Sequence, residues 1–271
     1  MQPQANANPP VTLPHLRERK KRGEKIVVVT AYDASFAAAA DAAEIDIVLV
    51  GDSLGMVVQG HASTLPVNVE EMVYHTACVA RGLRRALLIA DMPFMSARDV
   101  PTAMDTATRL MAEGGAAMVK LEGSGWASEA IHALSVRDVP VCAHLGLTPQ
   151  SVYKLGGFRV QGRDEAAAAH LRSAAREVQD AGADLLVLEC VPAALGAEIT
   201  RDLSIPTIGI GAGVDCDGQV LVMYDLIGIS TGRRPRFVKN FLAGHDSVAG
   251  ALAAYASAVR AREFPGAEHS Y

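Results

Sequence analysis

Four acidic residues, Asp52, Asp91, Glu122 and Glu189, each follow directly on a short apolar run: Ile47-Val48-Leu49-Val50-Gly51, Leu87-Leu88-Ile89-Ala90, Met118-Val119-Lys120-Leu121 and Leu185-Leu186-Val187-Leu188. Runs of this kind form buried strands, so each carboxylate is held at the rim of a sheet by a rigid support. Asp52 and Asp91 offer hard oxygen ligands with no cysteine nearby, a donor set suited to Mg²⁺, which keeps several waters and leaves room for substrate oxygens. Either aspartate can also do no more than cap the turn that follows it. Lys120 and Glu122 lie two apart on one strand and therefore share a face. An inward lysine needs an acidic neighbour or an anionic ligand, because an unpaired buried ammonium is costly. His144, which ends a fifth apolar run, is placed to orient a hydroxyl or carbonyl, or simply to be hydrogen-bonded. Ser53 can donate its hydroxyl or its amide to an anionic oxygen. Glu189 follows four apolar residues, and such a setting raises a carboxyl pKa toward that of a useful general base. A divalent metal, a cationic lysine and a desolvated carboxylate together point to deprotonation next to a carbonyl. In that chemistry the metal chelates a 2-oxo acid through its keto and carboxylate oxygens and stabilises the enolate. The electrophile stays open at this level.

The elements that must position these residues alternate apolar strand-like runs with Ala-rich helical stretches, the rhythm of βαβ units in a parallel sheet. Strands are expected near 26–31, 47–51, 87–91, 118–122, 140–144, 185–189, 206–210 and 219–223, a count that implies closure into a barrel. Helices are expected over 34–43, 69–82, 100–114, 126–137, 165–181 and 193–202, with Asn68 capping the second and a glycine ending it. Only 211–217 separates the last two strands, which leaves room for a short helix or none. Gly209-Ile210-Gly211-Ala212-Gly213 completes no dinucleotide fingerprint and reads as close backbone packing at the rim. Long connections after the second and fifth strands, the latter over 145–163, are where active-site loops of a barrel sit. Residues 1–13, rich in Pro, Asn and Ala, read as a tail without packing, and 14–271 as one barrel domain. The basic stretch 15–22, ending at Gly23, reads as a helix covering one end of the barrel rather than a nucleic-acid patch. A last Ala-rich helix over 246–262 packs on this subunit or on a neighbour.

At 271 residues, 50% hydrophobic and 20% charged, the chain suits one α/β barrel. A formal net charge of -5 leaves no footprint for a polyanion, so nucleic acid is excluded and a small organic substrate fits. No apolar run approaches the roughly 18 residues of a membrane span, and the first residues lack the regions of a signal peptide, so a cytoplasmic location is expected. Cys78, Cys142, Cys190 and Cys216 lie far apart without C-x-x-C spacing, which argues against disulfides and a zinc site.

Several segments carry a further signal: Thr30-Ala-Tyr-Asp33, Leu49-Val-Gly-Asp-Ser-Leu-Gly-Met56 with Gln59-Gly-His and Ser63-Thr-Leu-Pro66, Ala90-Asp-Met-Pro-Phe94, Val119-Lys-Leu-Glu-Gly123, His144-Leu-Gly-Leu-Thr-Pro-Gln150, Leu186-Val-Leu-Glu-Cys190, Ile208-Gly-Ile-Gly-Ala-Gly213 and Lys239-Asn-Phe-Leu242. In this order they resemble the ketopantoate hydroxymethyltransferase family. The resemblance implies a (β/α)₈ TIM barrel of the phosphoenolpyruvate/pyruvate-binding type. It also implies transfer of a one-carbon unit from 5,10-methylenetetrahydrofolate, as co-substrate, to 3-methyl-2-oxobutanoate. By the same motifs Asp52 and Asp91 would bind Mg²⁺, and Glu122 would sit at the metal through its water shell. Ser53 and Lys120, beside Asp52 and Asp91, would hold the oxo acid, His144 would contact the hydroxyl end, and Glu189 would be the base. A homodecamer is implied as well. The alternative is a related Mg²⁺-dependent lyase or mutase that works on a carbon–carbon bond of a 2-oxo acid without folate.

Overall fold

Eight apolar runs form strands in which all positions but the last residues of the fifth and sixth are buried. Strands buried on both faces need helices outside and side chains inside, and a closed parallel barrel satisfies both demands. The computed structural model describes residues 9–230 and 234–271. In chain order its main elements are α1 (Leu13–Arg22), β1 (Ile26–Thr30), α2 (Ala34–Ala42), β2 (Ile47–Val50), α3 (Leu54–Val57), α4 (Val69–Gly82), β3 (Leu87–Asp91), α5 (Val100–Thr108), β4 (Met118–Glu122), α6 (Trp126–Ser135), β5 (Val141–Gly146), α7 (Val152–Leu155), α8 (Glu165–Asp180), β6 (Leu185–Glu189), α9 (Ala193–Asp202), β7 (Thr207–Ile210), β8 (Gly218–Leu221), α10 (Met223–Leu226) and α11 (Val248–Arg260). The strands pair in sequence order, all parallel, and β8 returns to β1. The (β/α)₈ class expected from the sequence is therefore the observed one.

Local chemistry sets the helix ends. Asn68 and Glu71 form a reciprocal capping box at the start of α4, while Asp33, Asp99, Asp164 and Ser247 each accept a backbone N–H at the start of α2, α5, α8 and α11. Gly23 ends α1 in the left-handed conformation. The helix expected over 100–114 stops at Thr108 and continues as a wider π-turn over Arg109–Glu113. Between β7 and β8 there is no helix. There the glycine-rich segment packs tightly: a Cβ on Gly213 would lie 2.7 Å from Ala193 Cβ, so α9 can sit this close only because Gly213 lacks one.

Helix α1 closes the amino-terminal mouth of the barrel. Its Leu16 is fully buried, and its basic residues reach three aspartates that precede strands: Arg17 to Asp184, Arg19 to Asp46 at 2.9 Å, and Lys20 to Asp217 at 2.7 Å. Of the segment expected to be an unpacked tail, residues 1–8 lie outside the described residues. Val11, however, donates its N–H to the Arg85 carbonyl at 2.8 Å, and Leu13 packs on the core, so packing begins before residue 14. Helix α11 packs on its own barrel. Tyr255, fully buried, places its hydroxyl 2.8 Å from the Val28 carbonyl and 2.9 Å from that of Gln219, across the β1–β8 seam. All four cysteines are free thiols, Cys78 half-buried and the others buried. Among the described residues no helix is long and apolar enough to cross a membrane.

Candidate active site

The carboxyl-terminal ends of β2 to β6 bring the singled-out residues together. In the register Asp91 sits beside Lys120 and Glu122 beside His144. Neighbouring positions in a ladder share a face, so all four side chains point into the barrel. Lys120 Nζ lies 3.0 Å from Asp91 Oδ1, 3.9 Å from Glu122 Oε1 and 3.2 Å from His144 Nδ1. His144 bridges outward, with Nδ1 3.4 Å from Glu122 Oε1 and Nε2 3.3 Å from Glu189 Oε2. Asp52 joins from the first residues after β2, its backbone N–H donating to Asp91 Oδ2 at 3.0 Å. Asp52, Asp91, Lys120, Glu122 and His144 are all buried, whereas the Glu189 side chain keeps 14% of its surface exposed and so faces the mouth. Ser53 is half-buried, its hydroxyl 2.9 Å from that of Tyr32.

Backbone geometry holds Glu189 in place. Strand β5 ends at Gly146 with φ +92°, and a Cβ there would lie 2.2 Å from the Glu189 carbonyl oxygen. Leu147 donates its N–H to that same oxygen at 2.8 Å. Any larger residue at 146 would push β6 away and carry Glu189 with it.

The electrostatics are those of crowded like charges. Burial raises the Asp52 pKa well above the ordinary carboxylate value, and the neighbouring Asp91 and Glu122 charges raise it further. Asp91 is raised too, chiefly by burial, although Lys120 opposes the shift. At Lys120 burial works against the charge, but Asp91, Glu122 and Asp52 prevail and hold its proton above the usual lysine range. Glu122 goes the other way. Burial would raise its pKa, yet contact with His144, the Lys120 charge and the Gln150 N–H hold it low. Burial and Lys120 disfavour a proton on His144, while Glu122 and Glu189 outweigh them and push its pKa up to about 9.

Two residues at the site carry no role in the sequence reading. Gln150 donates from Nε2 to Asp52 Oδ2 at 2.8 Å and to the Met92 carbonyl at 3.0 Å, and from its backbone N–H to Glu122 Oε2 at 3.0 Å. Tyr32, buried at the end of β1, aims its hydroxyl at Ser53. Both lie inside segments that carried the family resemblance, which was the only signal available for them.

The donor set suits a hard divalent cation. Asp91 Oδ1 and Glu122 Oε1 are buried with no backbone or amide N–H on them; Lys120, 3.0 Å from the first, and His144, 3.4 Å from the second, bring the positive charge there. Among the described residues no three His, Cys, Asp or Glu side chains form a ready-made metal cage. Glu122 is instead engaged by Lys120, His144 and Gln150. Such a geometry matches Mg²⁺, which takes one or two carboxylates and completes its shell with water and substrate oxygens.

The chain matches known proteins over nearly its whole length. The family model described as ketopantoate hydroxymethyltransferase matches residues 10–267. A 3-methyl-2-oxobutanoate hydroxymethyltransferase of Marinobacter nauticus is 59% identical over 261 residues, 96% of this chain and 98% of that protein. One from Burkholderia cenocepacia is 55% identical over 268 residues, 99% of this chain and 98% of the relative. Among solved structures, 2,3-dimethylmalate lyase, of the PEP mutase/isocitrate lyase superfamily, superposes with a TM-score of 0.56 at 19% identity, covering 77% of this chain and 80% of the other, a likeness of fold. By its motifs, its barrel and these matches, the chain belongs to the ketopantoate hydroxymethyltransferase family.

Proposed function

We propose that the chain transfers a hydroxymethyl unit from 5,10-methylenetetrahydrofolate to 3-methyl-2-oxobutanoate, giving 2-dehydropantoate on the way to pantothenate. The observation that carries this reading is the convergence of Asp52, Asp91, Lys120, Glu122 and His144 beneath a partly exposed Glu189. Asp52 and Asp91 would hold Mg²⁺, with Glu122 reaching it through water; that cation supplies a Lewis acid for the keto oxygen, which makes the neighbouring C–H more acidic. Lys120 and Ser53 bind the anionic oxygens of the oxo acid, and Tyr32 steers the Ser53 hydroxyl. Glu189 takes the proton from C3. Water takes the methylene carbon off the two folate nitrogens as formaldehyde, leaving tetrahydrofolate with a proton on each nitrogen. The electron pair left on C3 forms the new bond to that carbon as its C=O π bond breaks, and the oxygen takes up a proton to become the hydroxymethyl hydroxyl. His144, in contact with Glu189, faces that hydroxyl. With this activity go a cytoplasmic location and a homodecamer, for which exposed Tyr74, Trp126 and Val136 offer apolar surface to cover.

Incubation with 3-methyl-2-oxobutanoate, 5,10-methylenetetrahydrofolate and Mg²⁺ should yield 2-dehydropantoate by mass spectrometry. Folate-independent cleavage of a 2-oxo acid such as oxaloacetate, with no 2-dehydropantoate formed, would establish the lyase alternative instead.

A further inference from the structure

Gln150 lies in the turn Pro149–Ser151 that leaves β5, yet its side-chain amide bonds to residues just after β2 and β3, and its backbone N–H to the last residue of β4. Both neighbours of its Nε2 are acceptors, the Asp52 carboxylate and the Met92 carbonyl. The amide is therefore oriented unambiguously, NH₂ inward. Its backbone N–H takes Glu122 Oε2 and leaves Oε1 turned toward His144 and Lys120, 3.4 and 3.9 Å away. One oxygen of Asp52 and one of Glu122 are thus occupied by this one residue, and the rotation of each carboxylate is fixed. A third bond to Met92, next to Asp91 in sequence, ties the same residue to the backbone beside the other aspartate.

We propose that Gln150 is a positioning residue for the divalent cation: by claiming one oxygen each of Asp52 and Glu122, it presets the carboxylates so that the cation meets them already turned. Groups that orient metal-binding side chains characteristically change metal affinity by about 10- to 100-fold when removed. The inference rests on the assignment of a cation to Asp52 and Asp91, and its test separates the two. Gln150→Met keeps the length and bulk of the side chain and the backbone bond to Glu122, removing only the amide donors; Gln150→Ala serves as a second variant should the first unfold.

The probe is Mn²⁺, its free concentration read by electron paramagnetic resonance and its displacement by Mg²⁺ followed in the same titration. The dissociation constant should rise by about 10-fold or more in the Gln150 variants. Their rate of C3 proton exchange should recover to within about twofold of native once Mg²⁺ is saturating, since a group that only orients the ligands acts through the cation alone. Native Mn²⁺ affinity, or a rate deficit that saturating Mg²⁺ does not repair, would overturn the role assigned to Gln150. Asp52→Ala is the control. Its loss of Mn²⁺ binding, with Gln150→Met unaffected, would reject the Gln150 role and leave the cation site standing, whereas retained binding in Asp52→Ala would remove the site and the Gln150 role with it.

Discussion

The two ends of the barrel treat their carboxylates in opposite ways. At the amino-terminal mouth each acid has its own cation. Asp46, with no exposed side-chain surface, receives Arg19 at 2.9 Å and Arg85 at 3.0 Å and accepts the Val27 N–H at 3.0 Å; Lys20 meets Asp217, which also accepts from Thr207 N–H at 2.9 Å. At the carboxyl-terminal mouth Asp52, Asp91, Glu122 and Glu189 gather around Lys120 and His144, so that four acids share two cations. One end is balanced and fastens α1 to the strands. The other is left short of positive charge, a state that a bound cation relieves, and buried charge without compensation is characteristic of sites that do chemistry.

Substitutions at the two ends should therefore fail in different ways. Glu189→Gln should lower C3 proton exchange by about 10²- to 10⁴-fold, the usual share of a general base, with Mg²⁺ and oxo-acid binding nearly unchanged by calorimetry. Unchanged turnover would take Glu189 out of its role. Asp46→Ala should cost about 1–3 kcal/mol in urea unfolding, because it leaves the half-buried Arg19 and Arg85 guanidinium groups and the Val27 N–H without their acceptor, while the activity per folded molecule stays native. A catalytic loss there without destabilisation would erase the contrast between the ends. Asp52→Asn removes a carboxylate whose pKa is already raised by burial and like charges. The cation-free variant should be as stable as native or more so, though it loses the thermal stabilisation that Mg²⁺ gives the native protein.

His144 adds a pH signature. Its pKa in the folded state is raised, to about 9 from an ordinary 6.5, so its contribution to stability is complete below the unfolded value and disappears as pH climbs through the folded one. The melting temperature of the cation-free protein should accordingly fall between about pH 6.5 and 9. A flat profile, or one unchanged by His144→Asn, would contradict the proton assigned to that ring. Smallest of all, Arg17→Ala should change stability by less than about 1 kcal/mol, since its side chain is half exposed in the pair with Asp184.

The contrast between the ends also shows what could be read from the chain. An acid following an apolar run marked the catalytic rim, because a strand buried on both faces leaves its next residue at a fixed place. The mirrored signal was present too. Asp46 and Asp184 precede apolar runs, as Asp217 precedes β8, and the covering role of 15–22 followed from its charge and Gly23, but the pairing of Arg17, Arg19 and Lys20 with particular aspartates needed the closed barrel. Gln150 was not legible. Its amide meets Asp52 from 98 residues away, out of an irregular turn that no periodicity describes. The π-turn after α5 likewise left no mark in the apolar pattern over 100–114.

The proposed reaction depends above all on whether the acidic rim activates the C–H beside a keto group. Incubating the protein with 3-methyl-2-oxobutanoate in deuterated water and following the C3 proton by NMR tests this directly, without folate. Exchange that needs Mg²⁺ and collapses in Glu189→Gln is the predicted result; a folded protein that binds both Mg²⁺ and the oxo acid yet leaves the C3 proton in place would contradict it.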